Sequence, residues 1–242
     1  MKWFYRITLL LLLPGFAASA QNNTVRFKKR VIHDRFVSEG VATGDVNNDG
    51  QLDILAGPYW FEAPDWRLHQ IFVAPEYDFR TEWSDSFLNF ATDINQDGWV
   101  DLIVFDFPGT TVHWFQNPGK ENGFWPAHLI DSTARNESPM LVDIDQDQFP
   151  DLVFGTGNDQ ITWFEPSLDK NGGITWHKVP ISMEKAPGGS TFSHGLGFSD
   201  LDLDGKKDVF TTGGWWKAPD NYTETPWEFH AANLGKPCSQ MY

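Results

Sequence analysis

Short apolar runs punctuate the chain at nearly even intervals: Ile54-Leu55, Leu102-Ile103-Val104, Leu152-Val153-Phe154 and Val209-Phe210. Each soon meets a Gly or Pro, which suits a buried strand and leaves no room for a helix. An aromatic segment follows each run, as Trp60-Phe61-Glu62-Ala63-Pro64, Trp114-Phe115-Gln116-Asn117-Pro118, Trp163-Phe164-Glu165-Pro166 and Trp215-Trp216-Lys217-Ala218-Pro219. A second marker comes after that: Trp66 with His69, Trp125 with His128, Trp176 with His177, and Trp227 with His230. Each unit therefore predicts four short strands, one ahead of a polar loop, one after it, one carrying the aromatic pair and one carrying the His. Repeats near 50 residues with four antiparallel strands apiece predict an all-β chain, a β-propeller of four-stranded antiparallel blades, with four blades present.

The polar segment before each apolar run is the most regular feature of the sequence. It reads Asp45-Val-Asn47-Asn-Asp49-Gly50-Gln-Leu-Asp53, then Asp93-Ile-Asn95-Gln-Asp97-Gly98-Trp-Val-Asp101, then Asp143-Ile-Asp145-Gln-Asp147-Gln148-Phe-Pro150-Asp151, then Asp200-Leu-Asp202-Leu-Asp204-Gly205-Lys-Lys-Asp208. Oxygen-bearing side chains stand at positions 1, 3, 5 and 9 in every copy. Alternate side chains of a tight turn point inward, and a hard cation such as Ca²⁺ takes six to eight oxygens. Four copies at matching offsets point to calcium loops over 45–53, 93–101, 143–151 and 200–208. The EF-hand is excluded: its position 12 is a bidentate Glu before a helix, whereas Ala56, Val104, Phe154 and Thr211 stand here.

Composition narrows the class further. The 242 residues carry 33 acidic and 18 basic side chains, a formal charge of −15. Fourteen of those acids are Asp in the four loops, so much of the charge is local. Such a surface excludes nucleic acid as an expected partner. Residues 1–20 read as a secretory signal peptide: Lys2 and Arg6 precede the apolar run Ile7–Leu13, and Ala18-Ser19-Ala20 ends it. The mature propeller would then span 21–242 as an exported chain, periplasmic, cell-surface or secreted. No later segment is long and apolar enough to span a membrane, so an integral membrane protein is not expected. The lone Cys238 allows no internal disulfide. A strand over about 25–33 resembles the outer strand of a blade and would close the ring, and Ser239–Tyr242 resembles the start of another inner strand. Together they suggest a chain truncated at its C-terminus, whose open arc of blades would be prone to aggregate alone.

Asp-rich loops within Trp-Phe-rich β repeats of about 50 residues resemble the FG-GAP/VCBS repeat family over residues 25–242. The resemblance implies an extracytoplasmic propeller with Ca²⁺ in the loop joining the first two strands of each blade. It assigns as ligands Asp45, Asn47, Asp49 and Asp53; Asp93, Asn95, Asp97 and Asp101; Asp143, Asp145, Asp147 and Asp151; and Asp200, Asp202, Asp204 and Asp208. The third loop departs from the pattern, because Gln148 replaces Gly and Pro150 precedes the last Asp. Family members include adhesion heads, lectin-like binders and sugar-active lyases or dehydratases, so the fold leaves the activity open.

Binding is expected where the repeats differ, at the channel mouth opposite the loops. The connections Ala74–Ser86, Asp131–Ser138, Ser182–Ser193 and Asn233–Cys238 form that face. Six residues ahead of each loop stand Glu39, Phe87, Glu137 and His194. With Arg80 and Trp83 nearby, Glu39, Glu137 and His194 are the expected ligand face for an extracellular carbohydrate or protein. The repeated Trp-Phe pairs and the repeated His are expected to be structural. No Ser-His-Asp order, phosphate loop or Cys/His metal spacing occurs, so no catalytic residue is assigned. The competing expectation is a propeller-type sugar lyase or dehydratase using Glu39, Glu137, His194 and Arg80.

Overall fold

A computed structural model describes residues 25–170, 173–236, 238 and 241. The expected signal peptide lies outside the described residues. The chain divides into two units, 1–31 and 32–242, and the regular structure of the described residues lies in the second.

The second unit is all-β, and its described residues form sixteen strands in four antiparallel four-stranded sheets. The first blade holds β1 (Ala42–Gly44), β2 (Asp53–Ala56), β3 (Tyr59–Glu62) and β4 (Arg67–Gln70). The second holds β5 (Leu88–Thr92), β6 (Asp101–Phe105), β7 (Thr110–Phe115) and β8 (Ala127–Ala134). The third holds β9 (Met140–Val142), β10 (Asp151–Thr156), β11 (Gln160–Leu168) and β12 (Ile174–Pro180). The fourth holds β13 (Gly197–Ser199), β14 (Asp208–Thr211), β15 (Gly214–Lys217) and β16 (Glu228–Ala231). Strand order follows chain order in every sheet. Each Asp loop joins the first two strands of its blade.

The cores lie between sheets. Leu55 and Ile71 of the first blade pack with Leu102, Val104 and Phe115 of the second. Ile103, Phe105 and Trp114 meet Leu152, Phe154 and Phe164 of the third. Val153, Ile161 and Trp163 meet Val209 and Trp216 of the fourth. Successive residues on a strand face opposite sides, and this explains the aromatic pairs. Trp114 turns toward the third blade while Phe115 turns back to the first. Likewise Trp163 turns to the fourth blade and Phe164 to the second.

Three of the four repeated His side chains have a structural role, as expected. His69, His128 and His230 lie opposite Trp60, Trp114 and Trp215 and stack on them at 4.1, 4.5 and 4.3 Å. The third blade differs, because Trp163 pairs with Val179 and His177 with Glu165.

The strand expected over 25–33 is not formed; residues 25–41 carry no strand, and Val25, Phe27 and Val31 are exposed. A strand exists only where a neighbouring ladder takes its N–H and C=O groups, and these residues pair with no other strand.

Candidate functional site

The four loops share one hydrogen-bond scheme, set by the Asp side chains. The position-1 carboxylate accepts two backbone N–H groups, from positions 5 and 6. These are Asp49 and Gly50 on Asp45, Asp97 and Gly98 on Asp93, Asp147 and Gln148 on Asp143, and Asp204 and Gly205 on Asp200. The position-5 carboxylate accepts from position 7, at 2.7–2.9 Å in all four loops. The position-3 oxygen of Asn47, Asn95, Asp145 and Asp202 accepts from the position-5 N–H at 3.1–3.3 Å. These contacts fold each loop around a ring of oxygens.

The backbone follows suit. Positions 4 and 6 both take positive φ: Asn48, Gln96, Gln146 and Leu203 lie between 56° and 65°. Gly50, Gly98 and Gly205 lie between 85° and 92°, with Gln148 at 75°. Gln148 therefore holds a left-handed backbone that Gly adopts without strain. Position 4 is an amide in three loops and Leu203 in the fourth, and the Asn48 amide donates to the Gly98 carbonyl of the next loop at 2.9 Å.

The position-9 Asp anchors the loop to the sheet. Asp53, Asp101, Asp151 and Asp208 are all buried and each accepts the position-2 N–H. In three blades the other oxygen takes a second N–H from the end of the third strand: Ala63, Asn117 or Ala218. The third blade has Pro166 at that place, which has no N–H to give. Burial raises the pKa of Asp53 and Asp208, and lifts Asp101 and Asp151 to about 7. A buried carboxylate of this kind gains from a cation alongside it.

The donor set fits a hard cation. Carboxylate oxygens of Asp143, Asp145 and Asp151 lie within 4.8 Å of one another, as do those of Asp200, Asp202 and Asp208. The first two loops present an amide oxygen at position 3, from Asn47 and Asn95. Two further residues face the loops, neither assigned from sequence. Glu165 has its pKa raised, first by burial and then by the charge of Asp145, with Asp147 adding to it. Lys217 donates to Asp202 and, at 2.8 Å, to Asp204. These hydrogen bonds hold the Lys217 pKa above its ordinary value. Comparing the residue two after the first Trp of each aromatic segment (Glu62, Gln116, Glu165, Lys217) was the signal available for both.

At the other end of the strands lies the expected ligand face. Trp83 and Phe87 precede β5, Phe107 follows β6, and Phe192 precedes β13. Their rings form a chain: Trp83 to Phe87 at 6.4 Å, Phe87 to Phe107 at 6.2 Å, Phe107 to Phe192 at 5.6 Å. Trp83 is 63% and Phe192 50% exposed. Glu39 sits beside this chain, accepting the Ser84 N–H at 2.9 Å and the Ser84 hydroxyl. At the far end Glu137 and His194 pair at 3.0 Å, next to Phe192, whose N–H donates to Arg135. Arg80 belongs to a different cluster, with its guanidinium over Phe79 and Asp34, Arg35 and Glu76 nearby. Phe107 and Phe192 sit in turns that do not repeat, so no periodic signal marked them.

Among the described residues no helix is long and apolar enough to cross a membrane. Part of the chain resembles human integrin alpha-8, at 27% identity over 183 residues, spanning 60% of this chain and 17% of that protein. A solved Agrocybe aegerita protein, described as specifically recognising non-reducing terminal N-acetylglucosamine, aligns at 21% identity with a TM-score of 0.48. That alignment spans 72% of this chain and 47% of the other. Residues 93–154 match the family profile described as FG-GAP-like repeat. That stretch runs from the second Asp loop through the third and into β10, so the part of the chain similar to an FG-GAP-like repeat is the loop with the strands that follow it.

Proposed function

We propose that this chain is an exported, calcium-stabilised binding module that recognises carbohydrate through the face opposite its Asp loops. The observation that carries the ligand reading is the aromatic chain from Trp83 to Phe192, half-exposed at both ends and flanked by Glu39 and by the Glu137–His194 pair. An exposed aromatic ring offers a flat apolar surface to the CH face of a pyranose. The flanking carboxylates and imidazole supply acceptors and donors for hydroxyl groups. Calcium would sit among positions 1, 3, 5 and 9 of a loop, where it neutralises carboxylates and holds the first two strands of that blade in register. Affinities for such extracellular modules run to about 10⁻⁴–10⁻³ M, so the working calcium concentration is part of the reading.

The test is a glycan array followed by calorimetry with the full chain in millimolar calcium. Trp83→Ala and Phe192→Ala are expected to weaken glycan binding at least about tenfold, the order of losing one stacking contact of ~1.4 kcal/mol. Their melting temperatures should stay near wild type, because both rings are largely outside the core. Glycan binding indifferent to both substitutions would remove this face from the reading. Binding of protein but no glycan would overturn the ligand class.

A second reading has one observation in its favour. Glu137 and His194 are already within hydrogen-bonding distance at 3.0 Å, a geometry that suits proton transfer in a sugar lyase or dehydratase. Polysaccharide turnover by the wild type, lost in His194→Ala, would favour the enzyme.

A further inference from the structure

The four Asp loops are alike in sequence, yet the side chain that the neighbouring strand presents to them is not the same in every blade. The register pairs Leu55 with Trp60, Ile103 with Trp114, Val153 with Trp163 and Phe210 with Trp215. The residue two after each of those Trp therefore lies beside the position-9 Asp. It is Glu62, Gln116 and Glu165 in the first three blades, and Lys217 in the fourth. Three blades bring an oxygen to the loop and one brings an ammonium.

These side chains act differently. Glu62 is engaged by Arg67 and by His69, the latter at 2.7 Å. Glu165 faces the third loop, which has Asp at positions 1, 3, 5 and 9. Lys217 reaches into the fourth loop, donating to Asp202 at position 3 and to Asp204 at position 5. Lys206 adds to the positive charge, 2.6 Å from Asp220 and 3.9 Å from Asp204.

We infer that the Lys217 ammonium serves as the fourth loop's own cation, seated on the position-3 and position-5 carboxylates, so that this loop is closed without a divalent ion. Asp202 and Asp204 are two of the oxygens a calcium ion would need there. An incoming ion must displace a tethered ammonium whose local concentration is far above that of free calcium. Otherwise it must bind beside a like charge. The fourth loop is consequently insensitive to chelators, and the chain's calcium stoichiometry is set by its other loops. This rests on the cation reading of the loops given above.

Calcium titration of the metal-stripped full chain by calorimetry tests it, with hydrogen exchange over 200–208 as a second readout. Lys217→Gln is expected to bind one more ion than the wild type. Lys217→Arg should bind the same number, because it keeps the charge. Lys217→Glu, which installs the residue of the first and third blades, should also gain a site and covers the case of a poorly folded Gln variant. In chelator, Lys217→Gln should lose protection over 200–208, and calcium should restore it. Asp145→Ala in the third loop, which removes the position-3 oxygen present in every loop, is the reference and should lose an ion relative to the wild type. Equal stoichiometry in wild type, Lys217→Gln and Lys217→Glu, with Asp145→Ala still losing an ion, would overturn this inference alone. No calcium binding by any variant would overturn it together with the cation reading.

Discussion

Position 6 of the loops separates backbone strain from packing. An added Cβ at Gly50, Gly98 or Gly205 would meet nothing within 4 Å, so space is not what excludes a side chain there. The cost is conformational, since φ is 85–92° and the left-handed region penalises a Cβ. Gln148 already bears that cost at φ 75°. Gln148→Gly is therefore expected to stabilise the chain by about 1 kcal/mol, and Gly50→Ala to destabilise it by a similar amount. For a chain of this size that is a rise or fall in Tm of roughly 2–4 °C, measured by thermal melting in calcium. If both variants melt with the wild type, strain at position 6 is not a term in stability. At this scale the loop oxygens were legible because their chemistry repeats at fixed offsets. Leu203, in the left-handed region at position 4, was not, because a Leu where the other loops hold Asn48, Gln96 and Gln146 gives no sign of a positive φ.

The strands were legible for a different reason. Each blade places an Asp loop, a short apolar run, an aromatic pair and a His in the same order, and all four sheets form in that order. The third blade shows where order in sequence misses register: Pro166 stands where the other blades supply an N–H to the position-9 Asp, and Val179 replaces the stacked His. The segment 25–33 was read as a strand from its resemblance to an outer strand, but apolar content cannot supply a pairing partner. The cores between sheets depend on apolar runs that face two neighbours at once. Phe154 is fully buried, stacks on Phe164 at 4.2 Å and meets Phe105 edge-on at 5.0 Å. It therefore ties the second blade to the third. Phe154→Ala is expected to cost about 3–5 kcal/mol, a fall in Tm of roughly 10 °C. Phe229→Ala, at a ring 40% exposed on an outer strand, should cost much less. Similar losses from the two would mean that the faces between blades are not where the fold is held.

For the whole molecule, charge is the opposing force. Fourteen of the 33 acidic residues are loop Asp, and the buried position-9 carboxylates are the least able to shed their charge into water. Burial has already pushed Asp101 and Asp151 up to about 7. At pH 7.5 the metal-free chain must hold these groups largely ionised among other carboxylates, at a cost to the folded state. A divalent ion in the loop removes that cost and crosslinks the first two strands of the blade. Chelator is therefore expected to lower the Tm, and millimolar calcium to restore it. Repulsion and specific binding can be told apart in the same experiment. Monovalent salt shortens the Debye length from about 10 Å at 0.1 M to about 3 Å at 1 M, so it should recover part of the lost Tm in chelator by screening the exposed carboxylates. It should not recover all of it, because the position-9 Asp are buried and screened least. Full recovery by salt would reduce calcium to a counterion, and a melting curve indifferent to chelator would remove it from the fold altogether.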